Sequence, residues 1–326
     1  MRRAVALRAS LALLALVGSA GCEDARLKHV YVAQPLPAGT AAQAFAGPHV
    51  TDRFPTRDGE LAVVPLEHAS ILLGWHGKAF YVDPTSPGVN DPSLPTADAI
   101  LVTDAHYDHL DPVVVSQLRR AGTIVVGPPS AAERAPMDVV LREGDTRDVL
   151  GIEVTAVPAY NVTRGPVEGQ RYHERGRSVG YVLAVGGLRV YVSSDTDCTP
   201  EVRALEDIDV AFVGMNVPYA MTPAEASRCI GAFHPRVVFP YAYRHADLKT
   251  LDRAAMGPGV SLRRRSFYPR AERLRQEAYD GMVHGMWGLA DDRLDEAKAL
   301  DPEGDSDFRV VMTRRWLKEY ERVWPF

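Results

Sequence analysis

Between Asp104 and His109, two imidazoles (His106, His109) and two carboxylates (Asp104, Asp108) fall within six residues. Nitrogen and oxygen donors in this mixture suit a first-row divalent metal: zinc foremost, with manganese and iron also compatible. Donors so close in sequence converge only where the backbone turns sharply, and the flanking residues supply such a turn. Ala99 to Val102 is a short apolar run of buried-strand type. Leu110-Asp111-Pro112 then opens a helix pattern in which Asp111 caps and Pro112 suits the first turn. Val115 and Leu118 follow at helical spacing. The donors therefore sit on a strand-to-helix corner, which argues against a merely solvated polar loop.

Other short β-rich runs surround this corner. Leu61–Leu66, Ser70–Trp75 and Lys78–Val82 precede it, with His76-Gly77 as a tight turn. Thr123–Gly127, Asp138–Leu141, Ile152–Val157, Tyr181–Val185, Leu188–Ser193, Val210–Val213 and Arg236–Pro240 follow. Gly186-Gly187 marks a hairpin, and Thr222 with Glu225 forms a capping box before another helix. Strands interleaved with helices define an α/β class. Two histidines stand apart from the main cluster. His68 lies in the first loop, either as a satisfied structural residue or as a partner of a metal site. His173 lies in a long polar loop that ends at Gly180. Beyond 269, Leu274, Tyr279, Met282, Val283 and Met286 fall at helical spacing, as do Phe308, Val311, Met312, Trp316, Leu317 and Tyr320. The spacing predicts a C-terminal helical extension of two or three helices over 270–326.

The first 21 residues read as a targeting segment: Arg2, Arg3 and Arg8, then an apolar core from Leu11 to Val17, then Ser19-Ala20-Gly21. The junction before Cys22 resembles a bacterial lipoprotein cleavage site. That resemblance implies a lipidated Cys22, membrane attachment and a location on the periplasmic side of the bacterial envelope, or secretion if Cys22 is not lipidated. Residues 22–60 read as a tether and irregular lead-in. The chain is 46% hydrophobic and 24% charged with a net charge of −5, which gives no nucleic-acid surface. Arg263-Arg264-Arg265, the one basic run, reads as a solvated face. Cys198 and Cys229 lack zinc-type spacing and read as a buried thiol pair, with a disulfide open to them in an oxidising envelope.

Thr103 to His109 resembles the Thr-His-x-His-x-Asp-His signature of the metallo-β-lactamase fold, with Asp104 where the first histidine belongs. Leu66-Glu67-His68-Ala69-Ser70, Tyr81-Val82-Asp83-Pro84, Pro158-Ala159-Tyr160-Asn161, Ser193-Ser194-Asp195-Thr196-Asp197 and Phe239-Pro240-Tyr241-Ala242-Tyr243 follow in the family's order. They look most like the branch holding ascorbate-phosphate lactonases and the phospholipase D that acts on N-acyl phosphatidylethanolamine. The resemblance implies a four-layer αβ/βα sandwich over residues 61–269. It also implies one metal site of Asp104, His106 and His173, and a second of Asp108 and His109, bridged by Asp195. Ser194 replaces a glycine of the pattern. Ala242 replaces a histidine, so the second site is expected to bind weakly while the first binds one ion tightly. His245 reads as an exposed loop histidine. Asp108 is the expected catalytic residue, orienting water for hydrolysis of an ester, lactone or phosphodiester in a small-molecule or lipid-like substrate. A degenerate fold kept as a binding or structural module is the other reading.

Overall fold

The computed structural model describes residues 45, 52–86, 88–89, 93–244, 246–300 and 308–323. Along its first strands, Leu61, Val63, Ile71 and Leu73 join one apolar cluster while Val64, Leu72 and Tyr81 join another. Successive strand residues point to opposite faces, so both faces of this sheet are covered. The sheet runs in chain order through β1 (Asp52–Thr56), β2 (Gly59–Pro65), β3 (Ile71–Trp75), β4 (Lys78–Val82), β5 (Ala99–Leu101), β6 (Ile124–Gly127) and β7 (Val139–Val140). Its first four strands are antiparallel, and β4 to β7 are parallel.

The second sheet repeats this plan with β8 (Thr146–Val149), β9 (Ile152–Ala159), β10 (Ser178–Val185), β11 (Leu188–Val192), β12 (Val210–Gly214), β13 (Val237–Tyr241) and β14 (Ser261–Leu262). Again four antiparallel strands lead into a parallel run from β11 to β14. The inner faces share one core in which Leu61, Ile71 and Phe80 of the first sheet meet Val154, Tyr181 and Val190 of the second.

Helices cover the outer faces. Helix α1 (Pro112–Leu118) is capped by Asp111 and packs Val114, Val115 and Leu118 on the first sheet. The short α2 (Pro129–Ala132) and α3 (Pro200–Arg203) precede α4 (Pro223–Phe233), which carries the expected Thr222–Glu225 capping box. Phe233 of α4 meets Tyr191 edge-on at 5.8 Å on the second sheet. Cys198 and Cys229 form a disulfide that ties this helix to the loop after β11. After α5 (Arg253–Met256) come α6 (Pro269–Val283), α7 (Trp287–Leu300) and α8 (Phe308–Val323). The layered α/β architecture with C-terminal helices is the expected one.

Three local expectations are corrected. First, β1 lies inside the stretch expected to be irregular. Second, Arg263 and Arg265 are not a solvated face: both donate to the buried Asp52 carboxylate at 2.7 and 2.8 Å, and Arg263 lies over Phe54. This clamp fastens the first strand of one sheet to the end of the other, an order that no local pattern carries. Third, α8 buries Val310, Thr313 and Leu317 and turns Val311 and Trp316 outward. Its sequence offers two overlapping apolar stripes, and contact with Ala278 and Leu294 of the neighbouring helices selects one. Cys22, His245 and the acidic run from Asp301 lie outside the described residues.

Asp52→Ala removes the shared acceptor of two guanidinium groups and is expected to cost about 1–3 kcal/mol in a denaturant titration. Breaking the exposed Arg53–Glu60 pair with Glu60→Ala is expected to cost less than about 1 kcal/mol. Equal effects of the two changes would refute the clamp.

Candidate metal centre

The carboxyl ends of β4, β5, β11, β12 and β13 surround one point, and the loop between β2 and β3 adds His68. Four of these corners place a non-glycine residue in the left-handed region: His68 (φ 54°), Asp83 (44°), Ser194 (59°) and Ala242 (49°). Each costs on the order of 1–3 kcal/mol and persists only where the surroundings overdetermine it. Ser194 shows why glycine suits its corner: besides the left-handed backbone, its hydroxyl is buried without a hydrogen-bond partner among the described residues. The backbone N–H of Ser194 is held by the Tyr241 hydroxyl at 2.8 Å.

Asp104, His106 and His173 form one group of three converging donors, and Asp108, His109 and Asp195 form another. Within each, the donor atoms lie within 4.8 Å of one another. All six candidate ligands are thus brought together from segments up to 91 residues apart (195 − 104).

In the first group, Asp104 Oδ1 accepts from the backbone N–H of His106 and faces His106 Nδ1, both at 2.9 Å. Its Oδ2 accepts from Ser178 Oγ and lies 3.2 Å from His173 Nε2. His173 is buried, and its Nδ1 and backbone N–H both meet Asn161 Oδ1, at 3.1 and 2.9 Å. Burial pushes the Asp104 pKa up, but the hydrogen bond from His106 and the neighbouring His109 and His173 outweigh it and leave it below the usual carboxylate range. The hydrogen bond to Asp104 in turn raises His106.

In the second group, His109 Nδ1 donates to Asp83 Oδ2 at 2.8 Å. Asp83 also accepts from the Thr103 hydroxyl and backbone N–H, at 2.6 and 2.7 Å, which fixes the start of the donor loop. His109 Nε2 faces Asp195 Oδ2 at 3.6 Å. Asn216 Nδ2 donates to that same Asp195 oxygen at 2.8 Å. Burial opposes a charge on His109, yet the carboxylates of Asp83 and Asp195 hold its proton well beyond the ordinary imidazole range. Burial likewise acts against charge on Asp108, but the nearby His68 and His109 imidazoles keep its pKa below the usual range. Ala242 is fully buried beside this group and offers no donor.

A cavity of about 140 Å³ opens over both groups, lined by His106, Asp108, His173 and Asp195 and walled by Tyr107, Tyr172 and Tyr219. Tyr172 and Tyr219 meet edge-on at 4.9 Å. The sequence reading missed these tyrosines, along with Ser178 and Asn216. Tyr107 lies within the Asp104–His109 run, whereas Tyr172, Tyr219, Ser178 and Asn216 carry no local signature. The donor sets fit a divalent cation. His109 Nε2 and Asp195 Oδ1 are buried and lack a hydrogen-bond partner among the described residues. Orphaned polar atoms of this kind cost about 1–3 kcal/mol each unless a ligand takes them up.

Two mixed sheets between helices, with donors at the strand ends, define an α/β sandwich built for a metal centre. A family model described as "Beta-lactamase superfamily domain" matches residues 63–242, and the chain belongs to that superfamily. It is similar to a crystal structure from Parabacteroides distasonis described as a metal-dependent hydrolase. The two are 36% identical with a TM-score of 0.62, over 66% of this chain and 97% of that one. It also resembles proteins called metal-dependent hydrolases in two other organisms. The one from Anaeromyxobacter dehalogenans is 28% identical over 56% of this chain and 74% of the relative. The one from Archaeoglobus fulgidus is 30% identical over 57% and 85%.

The pH dependence of stability follows from the buried imidazole. A raised His109 pKa stabilises the fold fully below its unfolded value of about 6.5, and that contribution is lost as pH rises through the folded value. Protein treated with a chelator should therefore show a thermal midpoint that falls as pH climbs above about 6.5. A cation that replaces the proton removes this loss, so protein loaded with zinc should hold its midpoint over the same interval. Parallel pH profiles for the two forms would count against the assignment.

Proposed function

We propose that this chain is a metal-dependent hydrolase of an ester, lactone or phosphodiester, working through the two donor groups beneath the tyrosine-walled cavity. The observation that carries the reading is the convergence of two three-donor groups on one cavity that also exposes Asp108. Asp104, His106 and His173 would hold one divalent ion, most simply zinc, with manganese or iron compatible with the same donors. Asp108, His109 and Asp195 would hold a second, more weakly, with Asp195 the bridge between the two ions that the family resemblance implies. When bound, such an ion supplies Lewis acidity toward a carbonyl or phosphoryl oxygen and makes water a better nucleophile near neutral pH.

The chain's own residues supply the rest. Asp108, kept ionised by its histidine neighbours, presents a carboxylate to the cavity and can accept a hydrogen bond from the attacking water. The tyrosines offer apolar faces and hydroxyls to the substrate body. A second cavity of about 170 Å³ adjoins His106 and His173, and three guanidinium groups (Arg134, Arg171, Arg177) against two carboxylates (Asp104, Glu174) lie in its wall. Guanidinium groups there favour a substrate bearing an anionic group. Together these features support substrates of the kind taken by the lactonase and phospholipase D branch that the sequence resembles. We further propose attachment to the bacterial envelope through a lipidated Cys22, which would bring the site close to lipid-like substrates.

His106→Ala should lower both zinc content and hydrolysis of generic phosphodiester or ester substrates by at least about a hundredfold, with the fold retained by circular dichroism. A parent protein that takes up no metal and hydrolyses none of these substrates would replace this reading with a binding or structural module.

Envelope attachment has its own test. Cys22→Ala should leave the precursor unprocessed or move the protein from the membrane to the soluble fraction. Unchanged fractionation and migration would refute lipidation.

A further inference from the structure

His109 and His173 are built alike. In each, Nδ1 is held by an oxygen (Asp83 Oδ2 at 2.8 Å, Asn161 Oδ1 at 3.1 Å), and Nε2 is turned toward a carboxylate of its donor group. An imidazole whose Nδ1–H is tied to an acceptor has its tautomer fixed and keeps an Nε2 lone pair for a metal.

His68 has the same construction. It is buried, its Nδ1 lies 3.0 Å from the Tyr268 hydroxyl, and its Nε2 lies 3.3 Å from Asp108 Oδ2. Despite that approach, Nε2 makes no hydrogen bond among the described residues. With Tyr268 Oη accepting from Nδ1, the Nε2 lone pair is free and faces Asp108 at the edge of the second donor group, with the His109 ring centroid 6.4 Å away. His68 itself is not among the residues whose donors lie within 4.8 Å of one another.

The backbone connects this histidine to the position that lost its donor. The N–H of Ala242 donates to the His68 carbonyl at 3.1 Å, and the His68 N–H donates to the Phe267 carbonyl at 2.7 Å. His68 and Ala242 both hold left-handed backbone conformations, so the two corners are docked against each other under strain. The nitrogen missing from one corner is supplied a single hydrogen bond away.

We propose that His68 is a ligand of the second metal ion, acting beside Asp108, His109 and Asp195 in place of the side chain that Ala242 lacks. This rests on the reading of the chain as a metal protein and deepens it: the second site is a two-imidazole, two-carboxylate site, complete rather than eroded.

The test uses the full chain, stripped with a chelator and titrated with zinc against a chromophoric competitor, with metal content measured by mass spectrometry. The parent should take two ions. His68→Ala should keep the first and weaken the second by more than about a hundredfold, beyond the ~10–100-fold expected when only an outer partner of a ligand is lost. Ala242→His added to His68→Ala should restore the second ion. A measurement on the unmutated fold stands beside these variants: with nitrogen-labelled histidine and spin-active cadmium, His68 Nε2 should show scalar coupling to the metal, as His109 does. Coupling at His109 but not at His68, or a His68→Ala variant that binds its second ion within about tenfold of the parent, would overturn the proposal and leave the metal-protein reading standing. A parent that takes up no metal would overturn both.

Discussion

Asp83, Asp104, Asp108 and Asp195 lie in one largely water-excluded place, and this concentration of carboxylate is the constraint on which the rest depends. Buried anions without partners are too costly to keep, so each must face a cation or a set of donors. His68, His106, His109 and His173 stand between the four carboxylates, and Thr103, Ser178 and Asn216 take up further oxygens. The arrangement also explains where the site can be. Only the carboxyl ends of the parallel strands, reached in both halves of the chain, bring so many loops to one point.

Much of this was legible in the residues. Alternating or continuous apolar runs gave most of the strands, and the Asp104–His109 spacing pointed to the strand-to-helix corner on which four of the six converging donors sit. His173 and Asp195 were reachable only through the order of the surrounding segments, since neither has a local signature. What escaped depends on contacts between distant residues. Asp52 acquires its role from Arg263 and Arg265, over 200 positions away, so β1 looked like part of a tether. His68 meets Tyr268 at a separation of 200 residues, and no pattern around either announces the pairing. In α8, composition alone could not choose between two apolar stripes; the packing partner did.

The two departures from the expected donor pattern differ in kind. Asp104 exchanges an imidazole for a carboxylate that still points inward, and the surroundings suit it: the His106 backbone N–H and the Ser178 hydroxyl both donate to it. Ala242 removes a donor outright, yet keeps a left-handed backbone that a non-glycine residue holds only at a cost. The corner holds this shape without a donor side chain. That combination fits a site whose geometry is still required.

The outermost strands of both sheets have a consequence for how copies of this chain behave toward one another. β7 and β14 are two residues long, β8 is mostly Thr, Arg and Asp, and β1 carries Pro55 as well as the clamped Asp52. An exposed strand edge is a template on which another chain can extend a sheet, and brevity, charge and proline are the ways to blunt it. With its edges shaped like this, copies of the protein at high local concentration have little tendency to join sheet to sheet.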